Sequence, residues 1–348
     1  VTKRRTAIVT AGVAAGAVTA GMVGRTVLNA RRRRGDPEAH AQLSLLPPED
    51  LGRVASFDGT GLAVRASGNP DDPLILFVHG FSLDLTEWHY QWTELSARYR
   101  CVLFDLRSHG RSDRAARGDV TPQAFGHDLA AVIEAALPDR PALVVGHSMG
   151  SMAILALAES RPDLFENRIA GCVFAGSAAN DLLRGAMGSI TGLLRPRLGS
   201  LRQAARRVNH LREVVLSRPG DVGHLVARAT QFGPNASSHV VDYVVGLAAR
   251  APAEVWTDAL AGLMDMDLRH AVEHVRVPSL VLVGELDRVT PPSSAVALAG
   301  DLPDGRLEVI EGAGHIPMME AHEDFTRRLE RFARQVVSPS RGRKRRSA

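Results

Sequence analysis

Three residues able to do acyl-transfer chemistry stand in this chain, each just after a short apolar run. Ser148 lies in Gly146-His147-Ser148-Met149-Gly150, directly after Ala142 to Val145. Asp287 closes Gly284-Glu285-Leu286-Asp287, after Ser279 to Val283. His315 closes Gly312-Ala313-Gly314-His315, after Arg306 to Ile310. A serine hydroxyl becomes nucleophilic when a base takes its proton. Histidine is suited to that task, and a carboxylate can fix its tautomer and stabilise the imidazolium that forms. Each residue also has a plainer reading: Ser148 as a helix cap, His315 as a surface loop histidine, Asp287 as a turn-forming carboxylate before Pro291-Pro292. Glu285 is a rival acid close by, and Asp181, soon after the run Ile169 to Ala175, is another.

The elements that must position these residues are legible in the same stretches. G-x-S-x-G between an apolar run and the helical segment Ser151 to Ser160 describes a sharp strand-to-helix turn, where flanking side chains would collide with the neighbouring elements. Further strand-like runs are Leu74 to Val78 and Cys101 to Phe104, and Arg53 to Ala66 alternates around Asp58-Gly59-Thr60-Gly61 as a hairpin. Helical patterns cover Trp88 to Tyr99, Phe125 to Leu137 and Phe325 to Val337. Strands alternating with helices predict a mostly parallel, doubly wound α/β sheet of about eight strands, with functional groups at the strand carboxyl ends. From Asp181 to Asp265 the strand rhythm stops for longer than a loop allows, which predicts an inserted, mainly helical cap. The expected organisation is a core over 51–180 and 266–337, a cap over 181–265 and a Pro-containing linker over 36–50. A basic-flanked apolar segment over 1–35 precedes the linker, and a basic, disordered tail covers 338–348.

The chain has 348 residues, 45% hydrophobic and 23% charged, with formal net charge +4, which describes a globular protein. The charge is unevenly placed. Thirteen of the 42 Lys and Arg fall in residues 1–34 and 341–346, leaving 29 against 38 Asp and Glu in the body. An acidic body argues against nucleic-acid binding, and basic ends suit an anionic membrane surface. Residues 6–24 carry no charge, and Gly12, Gly16, Ala20 and Gly24 recur every four residues. As a helix the segment would span about 28 Å, so a retained membrane anchor with a cytoplasmic catalytic domain is expected. The competing reading is an export signal cleaved after Ala20. In the cap, seven Arg lie between Arg184 and Arg212 beside the apolar stretch Ala186 to Leu194. Together with the apolar segment they lean towards a lipid acyl ester. No metal-ligand spacing or phosphate-binding glycine loop occurs, so no cofactor and no metal are expected.

The order Ser148, Asp287, His315, with His79-Gly80-Phe81 after an earlier strand, resembles the α/β-hydrolase family. It is particularly similar to an actinobacterial-type group with a basic, apolar N-terminal segment. The likeness covers roughly residues 50–180 and 266–335, while the cap is matched by position alone. It implies Ser148 as nucleophile, His315 as base and Asp287 as its acid. The backbone N–H groups of Phe81 and Met149 would form an oxyanion hole. Asp105-Leu106-Arg107-Ser108-His109-Gly110-Arg111-Ser112-Asp113 resembles the family's D-x-R-G-x-G-x-S turn, departing at Ser108 and His109, and is taken as loop architecture. The expected activity is carboxylic ester hydrolysis. The alternatives are a perhydrolase or a C–C or amide hydrolase with the same triad, and a catalytically silent binding module.

Overall fold

Among the described residues eight strands follow one another: β1 (Glu49–Ala55), β2 (Gly61–Ser67), β3 (Leu74–Val78), β4 (Arg100–Phe104), β5 (Ala142–His147), β6 (Ile169–Ala175), β7 (Ser279–Gly284) and β8 (Gly305–Ile310). All five residues of β3 are buried, and they divide between two cores. Leu74, Leu76 and Val78 enter one cluster, Ile75 and Phe77 the other. A strand covered on both faces needs an apolar residue at every position, which is why this run is continuous rather than alternating. β5 splits the same way, with Ala142 and Val144 on one side and Leu143 and Val145 on the other.

The sheet order is β1-β2-β4-β3-β5-β6-β7-β8. β1 and β2 form an antiparallel hairpin, β2 runs antiparallel to β4, and the remaining neighbours pair in parallel. The hairpin turn is closed by Asp58, whose carboxylate accepts the Thr60 N–H at 3.1 Å, and by Gly59 at φ 87°.

Among the described residues the α-helices are α1 (His89–Leu95), α2 (Pro122–Ala136), α3 (Met149–Ser160), α4 (Pro162–Asn167), α5 (Val222–Gln231), α6 (Ser238–Arg250), α7 (Arg269–Val272), α8 (Pro292–Asp301), α9 (Pro317–Glu320) and α10 (His322–Val336). α2, α3 and α8 cover one face of the sheet, and α1 and α10 the other. The sheet is therefore doubly wound, as the sequence predicts. The expected helix over Trp88 to Tyr99 is instead a 3-10 turn, Leu85–Trp88, followed by the short α1. Asp84 starts the turn early by accepting the Thr86 N–H at 2.9 Å. By Tyr99 the chain is already turning into β4.

The computed structural model describes residues 35–115, 119–180, 222–252, 255–259 and 266–337. The apolar segment over 6–24, residues 181–221 of the expected cap and the tail over 338–348 lie outside these. Among the described residues no helix is long and apolar enough to cross a membrane. Residues 36–50, expected as a linker, are pinned to the domain. Asp36 accepts from the Ser237 hydroxyl at 3.0 Å, and Glu38 accepts from the Tyr90 hydroxyl at 2.6 Å. Leu43 is buried, and the final two residues already belong to β1. The prolines mark turns in this stretch, not independence from the core.

Candidate active site

Ser148 occupies the single-residue turn between β5 and α3, at φ 48° and ψ −112°. A non-glycine residue there carries strain of about 1–3 kcal/mol that the surroundings must hold in place. They do so through close packing. A Cβ on Gly146 would stand 2.6 Å from the Gly150 carbonyl carbon, and one on Gly150 would collide with the Val78 carbonyl oxygen. Both obstacles are backbone, so neither can swing aside. Gly150→Ala is therefore expected to lose about 1–3 kcal/mol of stability. Urea denaturation would read this as a lower midpoint with an unchanged slope, and an unchanged midpoint would contradict the packing argument.

Asp287 and His315 meet. The His315 Nδ1–H donates to Asp287 Oδ2 at 2.9 Å, and both side chains are nearly sealed from solvent. That bond selects the tautomer whose Nε2 carries the lone pair a general base needs. Asp287 is held in turn by the backbone N–H groups of Val289 and Thr290, each at 2.8 Å, and by the Thr290 hydroxyl at 2.8 Å. Burial alone would raise the carboxyl's pKa, but the His315 imidazole and the Thr290 donors outweigh it and hold the group below its usual range. Glu285, the rival acid, is exposed and accepts the Gly312 N–H at 2.9 Å instead. Asp181 lies outside the described residues.

His147, next to Ser148, and Gly176, next to the residue that Ser148 bonds, both lie against His315. The Ser148 N–H donates to the Ala175 carbonyl at 2.9 Å at the end of β6. The next residue, Gly176, has φ 49°, and a Cβ there would stand 3.0 Å from the His315 carbonyl oxygen and 3.2 Å from its Nδ1. On the other side, His147 Nε2–H donates to the His315 carbonyl at 3.0 Å, and its Nδ1 lies 3.2 Å from the Glu87 carboxylate. Both ring nitrogens face oxygen atoms, an arrangement that favours the doubly protonated ring. Burial would lower the His147 pKa, yet the fully buried Glu87 carboxylate and the His315 carbonyl raise it above the ordinary value.

The proposed oxyanion donors lie at the ends of β3 and β5. Met149 is the first residue of α3, so its N–H has no intrahelical acceptor. Gly80, just before Phe81, donates its N–H to Glu87 at 3.1 Å, which ties the loop of Phe81 to His147. The Phe81 ring packs edge-on against Trp256 at 4.9 Å between ring centres. A cavity of about 260 Å³ lies beside this loop, between Ser82, Leu83, His109 and Arg111 and the α6 residues Leu247 and Arg250.

His79 is used structurally. Its Nδ1–H donates to the Gly80 carbonyl at 2.8 Å, and its Nε2 accepts the Leu106 N–H at 2.9 Å. The turn after β4 is architecture too. Arg107 is buried and forked onto Asp128 at 2.7 and 2.8 Å, and the Asp105 carboxylate accepts the N–H groups of Leu85 and Arg111, each at 2.7 Å. Trp88 is fully buried against Phe77 and Phe325. Sequence reasoning missed Glu87, Thr290 and Gly176, and it treated His147 as a spacer. No local pattern marks them, because their partners lie far away along the chain.

A doubly wound parallel sheet with a strained serine after β5 and an acid–histidine pair after β7 and β8 is the arrangement of an α/β hydrolase. Residues 73–322 match the family described as alpha/beta hydrolase fold, and the chain belongs to that family. An uncharacterised protein of Mycobacterium tuberculosis is 26% identical over 281 residues, 78% of this chain and 77% of its own. A 3-oxoadipate enol-lactonase of Acinetobacter baylyi is 24% identical over 283 residues, 81% of this chain and 97% of its own. A pimeloyl-[acyl-carrier protein] methyl ester esterase of Neisseria meningitidis is 25% identical over 274 residues, 77% of this chain and 79% of its own. Among solved structures, a thermophilic esterase from Thermogutta terrifontis superposes with a TM-score of 0.66 at 24% identity, over 83% of this chain and all of that one. This last likeness concerns the fold.

Proposed function

We propose that this protein is a serine hydrolase of carboxylic esters, with Ser148 as nucleophile, His315 as general base and acid, and Asp287 as the acid that orients it. The observation that carries the reading is the buried 2.9 Å bond from His315 to Asp287, with the left-handed turn that bears Ser148 tied to the His315 carbonyl through His147 at 3.0 Å. Relatives named as an esterase and an enol-lactonase support ester cleavage as the reaction type.

In the acylation step, the Ser148 Oγ–H proton passes to His315 Nε2 as Oγ bonds to the ester carbonyl carbon. The carbonyl oxygen gains negative charge, which the N–H groups of Phe81 and Met149 stabilise more strongly than they do the ground state. His315 then gives the proton to the departing alkoxide as the C–O bond breaks, leaving an acyl group on Ser148. Water then attacks the acyl carbon as His315 takes its proton, and His315 returns that proton to Ser148 Oγ as the acyl–Oγ bond breaks, releasing the carboxylic acid and the free serine.

A p-nitrophenyl ester series from acetyl to decanoyl tests this. The wild type is expected to release p-nitrophenol above the buffer rate for at least the shorter esters, and no release across the series would overturn the reading. The apolar segment over 6–24 and the Arg-rich stretch over 184–212 favour an ester presented at an anionic membrane surface. On that finer reading activity rises with acyl length, and a sharp preference for acetyl excludes it.

A further inference from the structure

The loop carrying His315 is held from the cap side as well as from the sheet. Gln231 ends α5, and its carbonyl accepts the His315 N–H at 2.6 Å. Two residues further on, the Gly233 N–H donates to Glu320 Oε2 at 2.7 Å, while the Gly314 N–H donates to Glu320 Oε1 at 2.7 Å. One carboxylate thus bridges the chain between α5 and α6 and the residue just before His315. The two stretches run backbone against backbone. A Cβ on Gly233 would collide with the Gly312 carbonyl oxygen, and one on Gly314 would stand 2.5 Å from the Gln231 carbonyl oxygen. Glycine at both positions permits an approach that the Glu320 bridge then fixes.

We propose that Glu320 is a positioning residue, whose carboxylate locks the His315 loop to the segment Gln231–Gly233 and so fixes where the base stands beneath the cap. The proposal rests on His315 being the general base. Glu320 itself touches no reacting atom. It acts through the backbone, and its two oxygens each take one N–H donor. Burial raises its pKa to about 7, against the pull of the N–H groups of Gly233 and Gly314, and Asp287 adds to the rise. A carboxylate kept in so unfavourable a place is doing something that an apolar residue there could not: accepting two backbone donors that would otherwise be unmatched.

A purely structural bridge would change the amount of folded enzyme and leave each folded molecule as fast as before. A positioning bridge changes the rate per site. Misplacing a catalytic group by about 1 Å can cost roughly 10²-fold. In Glu320→Gln the side chain keeps its size, but the amide accepts one donor and presents N–H to the other. The full chain would be assayed with p-nitrophenyl acetate, with sites counted by fluorophosphonate labelling. We expect kcat per labelled site to fall at least tenfold with KM changed less than threefold. A kcat per site within twofold of wild type would overturn the proposal. Glu320→Asp, one methylene shorter, reaches at most one donor and is expected to fall between the two. It carries the same thresholds if the glutamine variant does not fold. A wild type that neither labels nor hydrolyses sinks the hydrolase reading and this proposal together. A labelled, active wild type with unaffected variants sinks this proposal alone.

Discussion

Ser148→Ala is expected to remove ester turnover almost entirely, by about 10⁶-fold in kcat if the serine works as one unit with its base. The fold should survive the change. Ser148 holds its place through backbone atoms, its N–H on the Ala175 carbonyl at 2.9 Å and its carbonyl on the Ser151 N–H at 3.0 Å. Alanine keeps both. Circular dichroism and the thermal midpoint should therefore match the wild type while initial rates with p-nitrophenyl acetate drop to background. A variant that retains a tenth of the activity would show that the reacting group lies elsewhere.

Asp287→Asn is the second large effect, about 10⁴-fold in kcat. The reason is a tautomer. Oδ1 of Asp287 takes two backbone N–H groups at 2.8 Å, a job the asparagine carbonyl oxygen can keep. The amide nitrogen then stands where Oδ2 was, facing the Thr290 hydroxyl and His315 Nδ1. His315 can meet an N–H donor only with an unprotonated Nδ1, which puts its proton on Nε2. The ring then has no lone pair where the serine proton must go. Steady-state kinetics should show the loss in kcat with KM little changed. A loss of less than tenfold would assign the acid's role to another carboxylate.

Much of this was readable from residue types because the fold repeats one device. A continuous apolar run makes a strand buried on both faces, and the candidate residues sit in the turn that follows. β5, β7 and β8 each end in a glycine-containing turn bearing Ser148, Asp287 or His315, so finding the strands nearly finds the residues. Glu87 and His147 are a different case. They are 60 residues apart, and each reads alone as an ordinary polar residue of its own turn. Only the pairing of β3 beside β5 brings the loop after the first against the end of the second. Glu320 was hidden for the same reason, since one of its partners, Gly233, lies 87 residues away. The stretch over 36–50 misled in the opposite direction. Pro37, Pro47 and Pro48 look like a spacer, while the contacts that pin it, Asp36 with Ser237 and Glu38 with Tyr90, are long-range.

The departures in the turn after β4 are also intelligible from the structure. Ser108 stands at φ 61°, a conformation that favours glycine, and its hydroxyl accepts the Ala115 N–H at 3.1 Å. A short polar side chain that bonds its own loop tolerates the left-handed region better than a bulky one. His109, buried beside it, accepts the Ser82 N–H at 3.3 Å, and burial pushes its pKa down to about 3. It is a neutral strut between the turns after β3 and β4.

The most direct test of the central claim is covalent. The wild-type chain would be treated with a fluorophosphonate, weighed intact by mass spectrometry and then mapped by peptide. A single adduct on the peptide containing Ser148, absent from Ser148→Ala and strongly slowed in Asp287→Asn, is the predicted result. No adduct, or one on a different serine that persists in Ser148→Ala, would contradict the account.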